Sequence, residues 1–241
     1  MESESDSTKS GNSLEQRRRK IESRAAETSR ESQSRKKRSL AILKAEKIPF
    51  TQHLPAIGTE AQSTRRSTEQ VAQRAMALCI VAAKGEGVDQ ETIGRLVNEY
   101  KLASLFTPKE KAFIANPNPT QHDRIQFTWR YECYWVMLWA LGFVDTLDRP
   151  DAICDVRHAV SFLQQNGHDG FVKKSKLRSQ SEILDAADLI YRYHWAVVDA
   201  RINDREPPAT LDAGVVMERH YALNWLIGYM DQEWDDISTD T

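Results

Sequence analysis

The sequence predicts an all-α fold, a compact multi-helix domain around a buried, tryptophan-rich central helix, plus a disordered N-terminal tail. Three observations carry that expectation. No run of alternating β-branched residues occurs in the 241 residues, so strands have no footing. Helix starts and stops are legible as caps along most of the chain. Residues 129–143 hold six aromatics, Trp129, Tyr131, Tyr134, Trp135, Trp139 and Phe143, with no charge beyond the first turn. A helix that is apolar all round belongs inside a protein.

The elements follow in order. Residues 1–35 read as a Ser/Arg/Glu-rich disordered tail: they hold nine serines, and their large apolar residues are Met1, Leu14 and Ile21. Such a segment cannot bury enough surface to offset its ordering entropy. Residues 36–241 form a single domain. Its first helix opens with the basic cluster Arg35, Lys36, Lys37 and Arg38 and continues through Leu40, Ile42 and Leu43. Ser67 and Gln70 make a capping box before the apolar positions from Val71 to Ala82, and Gly85 and Gly87 end that helix. Asp89 caps the next, whose stripe is Ile93, Leu96, Val97 and Tyr100. Thr107 and Glu110 form a second box, with Pro108 at the first helical position. After the break at Asn116-Pro117-Asn118-Pro119, Thr120 starts a long helix towards Val144. Further helices are expected over 155–166, 180–203 and 214–230, with Ser179 and Glu182 capping the second of these and Pro207-Pro208 following it.

Charge is distributed unevenly. The net −2 divides into residues 1–40, with 11 Lys/Arg against 7 Asp/Glu, and the remainder, with 22 against 28. A basic tail therefore precedes an acidic body. The tail clusters, Arg17 to Lys20 and Arg35 to Arg38, are diluted by glutamates and lack interleaved aromatics, and an acidic body repels phosphates, which argues against nucleic acid as a partner. Cys79, Cys133 and Cys154 form no CxxC pair and suit a reducing compartment. No signal peptide is visible, and the longest uncharged apolar run, 133–144, has 12 residues, short of the ~18 that span a bilayer. The expectation is a soluble, cytoplasmic protein with no membrane partner.

The chemistry-bearing residues lie on the C-terminal helices. At ~100° per residue, Asp185, Asp188, Arg192 and Asp199 fall within about 60° of one another, a polar stripe on an otherwise apolar helix, with His194 on the opposite side. Glu218, Arg219, His220 and Asn224 interrupt the apolar helix that follows. Glu132 opens the aromatic segment. The candidate network or pocket is Glu132, Asp185, Asp188, Arg192, His194, Glu218, Arg219 and Asn224. One reading gathers these carboxylates into a metal-dependent or acid/base centre. Against it, the sequence has no Glu-x-x-His, HExxH, phosphate-cradling glycine loop or Gly-x-Ser-x-Gly. The reading that explains more is structural. Arg130, Arg192 and Arg219 ride on the same helices as the acids, buried carboxylates are rarely tolerated unless paired, and buried indole N–H groups need acceptors. Acids, arginines and indoles then form a polar network that fixes how the helices cross.

Several motifs resemble a known family, the bacterial domain of unknown function 4272. They are Arg66-Ser67-x-Glu69-x-Val71-Ala72-x-Arg74-Ala75, then Trp129-x-x-Glu132 leading to Trp139-Ala140-Leu141-Gly142. Glu182-Ile183-Leu184-Asp185-x-x-Asp188-x-x-Tyr191-Arg192-x-His194-Trp195-Ala196 and Glu218-Arg219-x-x-Ala222-Leu223-Asn224-Trp225-Leu226 follow, with Trp234-Asp235-Asp236 and Thr239-Asp240-Thr241 at the close. The resemblance covers roughly residues 35–241 and implies a domain boundary. It brings no activity, substrate or cofactor.

The sequence thus reads as a non-enzymatic binding or interaction module, with no catalytic residue, metal or cofactor indicated. A protein is the favoured class of partner, since an acidic body with an acidic, tryptophan-bearing terminus suits a basic surface. The alternative is the carboxylate-cluster enzyme.

Overall fold

The computed structural model describes residues 29–241. Residues 1–28, and with them the cluster from Arg17 to Lys20, lie outside the described residues. Helix α1 (Arg30–Ala45) begins earlier than the boundary expected at residue 36. The Ser29 side chain accepts from the Ser32 amide and caps it. Arg35 then faces inward and is 1% exposed, so the first helix belongs to the packed body.

Helix α2 (Thr68–Glu86) starts at the expected box, with the Ser67 hydroxyl on the Gln70 amide and the Gln70 side chain on the Ser67 amide. It stops at Gly87, whose φ of 112° is left-handed and suits glycine. Nearly every residue from Val71 to Gly85 is buried. Helices α3 (Gln90–Glu99), α4 (Pro108–Ala115) and α5 (Gln121–Thr128) follow, capped by Asp89, Thr107 and Thr120.

The helix expected to run unbroken from Thr120 towards Val144 is divided. Helix α6 (Arg130–Ala140) is separated from α5 at Trp129. The Trp129 backbone stays right-handed (φ −58°, ψ −18°), and the turn is tightened by an amide of Glu132 donating to the Trp129 carbonyl at 3.0 Å. No glycine or proline marks this break. The Trp129 ring seats on Gly214, where a Cβ would stand 2.5 Å from a ring carbon. Residues Tyr131 to Ala140 are all buried, as the charge-free aromatic segment requires.

Helix α7 (Val156–Lys174) extends past the expected end at 166, with a local break at Gly167 (φ 60°). Helix α8 (Gln180–Ile202) matches its expected span closely. Helix α9 (Ala213–Leu226) ends short of residue 230, because Gly228 turns left-handed (φ 63°). Short 3-10 turns occur at Glu60–Gln62, Pro208–Thr210, Tyr229–Asp231 and Trp234–Asp236. Among the described residues there is no strand.

Helix α6 is the centre, flanked by α2, α7 and α9. Helix α9 also lies on α8, whose outer side is covered by α1. This arrangement buries the middle of the polar stripe of α8, Asp188 and Arg192, beneath α1 and the segment that follows it, and leaves Asp185 and Asp199 partly exposed. Among the described residues no helix is long and apolar enough to cross a membrane.

Candidate functional site

The acidic candidates fall into four separate ion pairs. Glu132, on the central helix, accepts from Nε of Arg219 at 3.0 Å through one oxygen and from the Cys154 amide at 2.5 Å through the other. Arg219 also donates to the Asp148 carbonyl at 2.6 Å. Both side chains are 3% exposed. The pair therefore ties α6 to α9 and to the loop entering α7. A charge buried to this extent is tolerated because the opposite charge and further hydrogen bonds compensate it.

Asp188 and Arg192 lie one turn apart on α8 and form a two-point pair, Nε and Nη2 to the two carboxylate oxygens, each at 2.8 Å. They are 0% and 1% exposed. Nη2 also reaches the Pro55 carbonyl at 3.1 Å, which fastens the segment after α1 to α8. Asp185, on the same stripe but half-exposed, accepts from Arg35 at 3.0 Å and Arg38 at 2.6 Å. Arg35 further holds Glu31 and the Gly58 carbonyl. Three members of the basic cluster at the tail boundary, Arg35, Lys36 and Arg38, are thus engaged within the domain, with Lys36 donating to the carbonyls of Gln52 and Leu54. At the far end of the stripe, Asp199 pairs with the exposed Arg205 at 2.6 Å.

Glu218, on α9, accepts from Arg130 at 2.9 Å and from the Cys133 thiol at 3.1 Å. Burial, together with the Glu218 carboxylate, pushes the Cys133 thiol well above the usual range, so it serves as a neutral donor. Arg130 also lies over the Tyr221 ring, 4.6 Å from its centroid. The tryptophans join these networks through their ring faces, as with Arg66 on Trp225, Arg74 on Trp234 and Arg178 on Trp139. The acids themselves take their hydrogen bonds from arginines, a thiol and backbone amides, whereas indole N–H groups had been expected in that role.

His194 meets His220 across the α8–α9 contact, Nδ1 to Nδ1 at 2.8 Å. Burial first, and Arg201 second, lowers the pKa of His194 to about 4; burial first, and His194 second, lowers that of His220 to about 3. Both rings are neutral near pH 7, and a single shared proton joins them. Asn224, one turn beyond His220, donates to the Ser238 carbonyl at 2.8 Å and holds the C-terminal segment down. His220 and Asn224 border a cavity of about 100 Å³, with Tyr191, Leu184 and Ile57 among its walls.

Glu132, Asp185, Asp188 and Glu218 consequently do not converge, and among the described residues no three His, Cys, Asp or Glu side chains form a group that could hold a metal ion. Sequence reasoning brought Arg192, Arg219 and Arg130 to the right neighbourhood because they share helices with acids. It missed Arg35, which sat inside a charge run, and the buried pair Arg74–Glu110, closed at 2.6 Å. The signal for the latter was present: Glu110 doubles as the N3 residue of the Thr107 box. The cavity beside His220 had no sequence signature beyond the four-residue spacing of His220 and Asn224.

A second recess of about 300 Å³ opens where α5 meets α6, bordered by Ile125, Trp129, Tyr131 and Ile153. Ile125 and Ile153 are 49% and 65% exposed.

No curated protein and no solved structure matches the chain. The model of one family does, over residues 35–237, a range that contains all four ion pairs. The chain belongs to that family, described as Domain of unknown function (DUF4272).

Proposed function

We propose that the domain is a non-catalytic interaction module, in which the buried ion pairs set the geometry of the helices and a protein partner docks on the surface they shape. The observation that carries the reading is that every candidate carboxylate is already engaged by an arginine at 2.6–3.0 Å, in a pair of its own. Each of these carboxylates is held and neutralised by an arginine, which favours a role in the fold.

The docking face is the apolar recess around Ile125 and Ile153. Exposed β-branched residues beside tryptophan and tyrosine are the ordinary anchors of an interface core. The partner inserts an apolar side chain there and presents a basic surface around it, because residues 41–241 carry 22 Lys/Arg against 28 Asp/Glu. Ile125→Asp with Ile153→Asp tests this. Both positions are exposed enough to keep the fold, so circular dichroism and melting should be nearly unchanged. Affinity capture from native extract should recover a basic protein in stoichiometric amount with the wild-type chain and lose it with the double variant. Equal recovery by both chains, or none by either, would refute the assignment of this face.

A further inference from the structure

The cavity of about 100 Å³ between α8, α9 and the segment 55–63 is not used by the ion pairs or by the docking face. Its walls are chiefly apolar, with Ile57, Leu184 and Ile227 among them. Gln62, Ser63, Tyr191, His220 and Asn224 are among its polar residues. His220 is 2% exposed and commits Nδ1 to His194 at 2.8 Å, so Nε2 is the ring nitrogen left over. The ring borders the cavity, where a ligand or water can reach its second nitrogen.

The shared proton gives the pair an unusual adaptability. When it sits on His220, Nε2 of that ring is an acceptor; when it sits on His194, His220 carries its own proton on Nε2 and donates. The two states differ by moving one proton across 2.8 Å and by the complementary exchange at the outer nitrogens. The site therefore recognises a hydrogen-bonding group of either polarity, but a net charge fits it poorly. An anion meets Asp240 at the rim, and a cation loses its water against apolar walls with no buried carboxylate beside it.

We propose that this cavity is a binding site for a small uncharged molecule, about the size of one aromatic ring, that carries a single hydrogen-bonding group received by Nε2 of His220. A dry cavity of about 150 Å³ holds benzene, so a ring that projects partly through the mouth matches this space. The assignment does not depend on whether the Ile125–Ile153 face takes a partner.

The test is a titration of the whole protein with phenol, benzamide, benzoate and benzylammonium, followed by long-range proton–nitrogen correlation of the histidine rings. Phenol and benzamide should bind saturably. Phenol, as a donor, should fix His220 with its proton on Nδ1, whereas benzamide, presenting its carbonyl, should drive the proton to Nε2. His220→Asn keeps an atom at the Nδ1 position for His194 and removes Nε2. It should preserve the fold and weaken phenol at least about tenfold. Ala56→Trp, which fills the cavity from the covering segment, should abolish binding while leaving the histidine pair intact. Failure of both neutral probes, equal or tighter binding of either charged probe, or phenol binding that survives His220→Asn unchanged would overturn the proposal.

Discussion

At the scale of single residues, Arg219 shows how the molecule uses charge. Its guanidinium spans Glu132 on one side and the Asp148 carbonyl on the other, with almost no solvent. Removing one partner of such a pair leaves an uncompensated buried charge and costs about 3–5 kcal/mol. Arg219→Met and Glu132→Leu should each destabilise by that order in urea unfolding. The double replacement should destabilise by clearly less than the sum, since it leaves neither charge behind. Additive losses would show that the two side chains act independently. The same logic explains what was legible. Arg130, Arg192 and Arg219 could be matched to acids because they lie on the same helices. Arg35 could not be matched to Asp185, because 150 positions separate them and only the folded chain brings α1 against α8.

At the scale of elements, caps were the most readable feature. Ser67, Asp89, Thr107, Thr120 and Ser179 all cap the helices expected of them. Each satisfies backbone donors that a helix start leaves open, a local requirement written in adjacent residues. Ser179→Ala should therefore cost α8 about 1 kcal/mol, read as a shift in the urea midpoint with unchanged slope. What sequence could not show was the division at Trp129. At that break the indole packs on a distant glycine, Gly214, which leaves room for it. Gly214→Ala puts a methyl 2.5 Å from the ring and should destabilise by about 1–3 kcal/mol. Gly94→Ala, where a Cβ meets nothing within 4 Å, is the control and should be neutral or stabilising. If the two variants behave alike, the contact with Trp129 is not what requires glycine at 214.

For the whole molecule, the all-α fold and the identity of the central helix were accessible because periodicity and the absence of charge in residues 131–140 are one-dimensional facts. The pairing of elements was not, since it rests on contacts such as Asp185 to α1 and Glu218 to α6. One global property follows from the histidine pair. Both folded-state pKa values lie below the ordinary 6.5, at about 4 and about 3, so the unfolded chain binds protons more readily. The stabilisation is complete above pH 6.5 and declines as pH falls towards 4, at up to about 1.4 kcal/mol per pH unit for each proton. Glu31 and Glu182, lowered chiefly by side-chain hydrogen bonds from Arg35 and Ser179, add their own loss only below about pH 4.5. Urea unfolding between pH 6.5 and 5 should thus weaken steadily in the wild-type chain, and less so in a His194→Phe/His220→Phe variant. A flat profile for the wild type over that window would contradict the buried neutral pair.

The segment 232–238 deserves a final consequence. Arg66 donates to the carbonyls of Trp225 and Gln232, Arg74 lies over Trp234, Tyr221 donates to the Trp234 carbonyl, and Lys109 holds Asp235. The start of α2 and the start of α4 are therefore clasped by residues that leave the ribosome long after them. Vectorial synthesis delivers this latch well after the helices it closes, 126 positions after Lys109 and 166 after Arg66, so an emerging chain must wait with those helices only loosely assembled. Arrested nascent chains that stop before residue 232 should remain open to protease, and those that expose residue 238 beyond the exit tunnel should become resistant in one step.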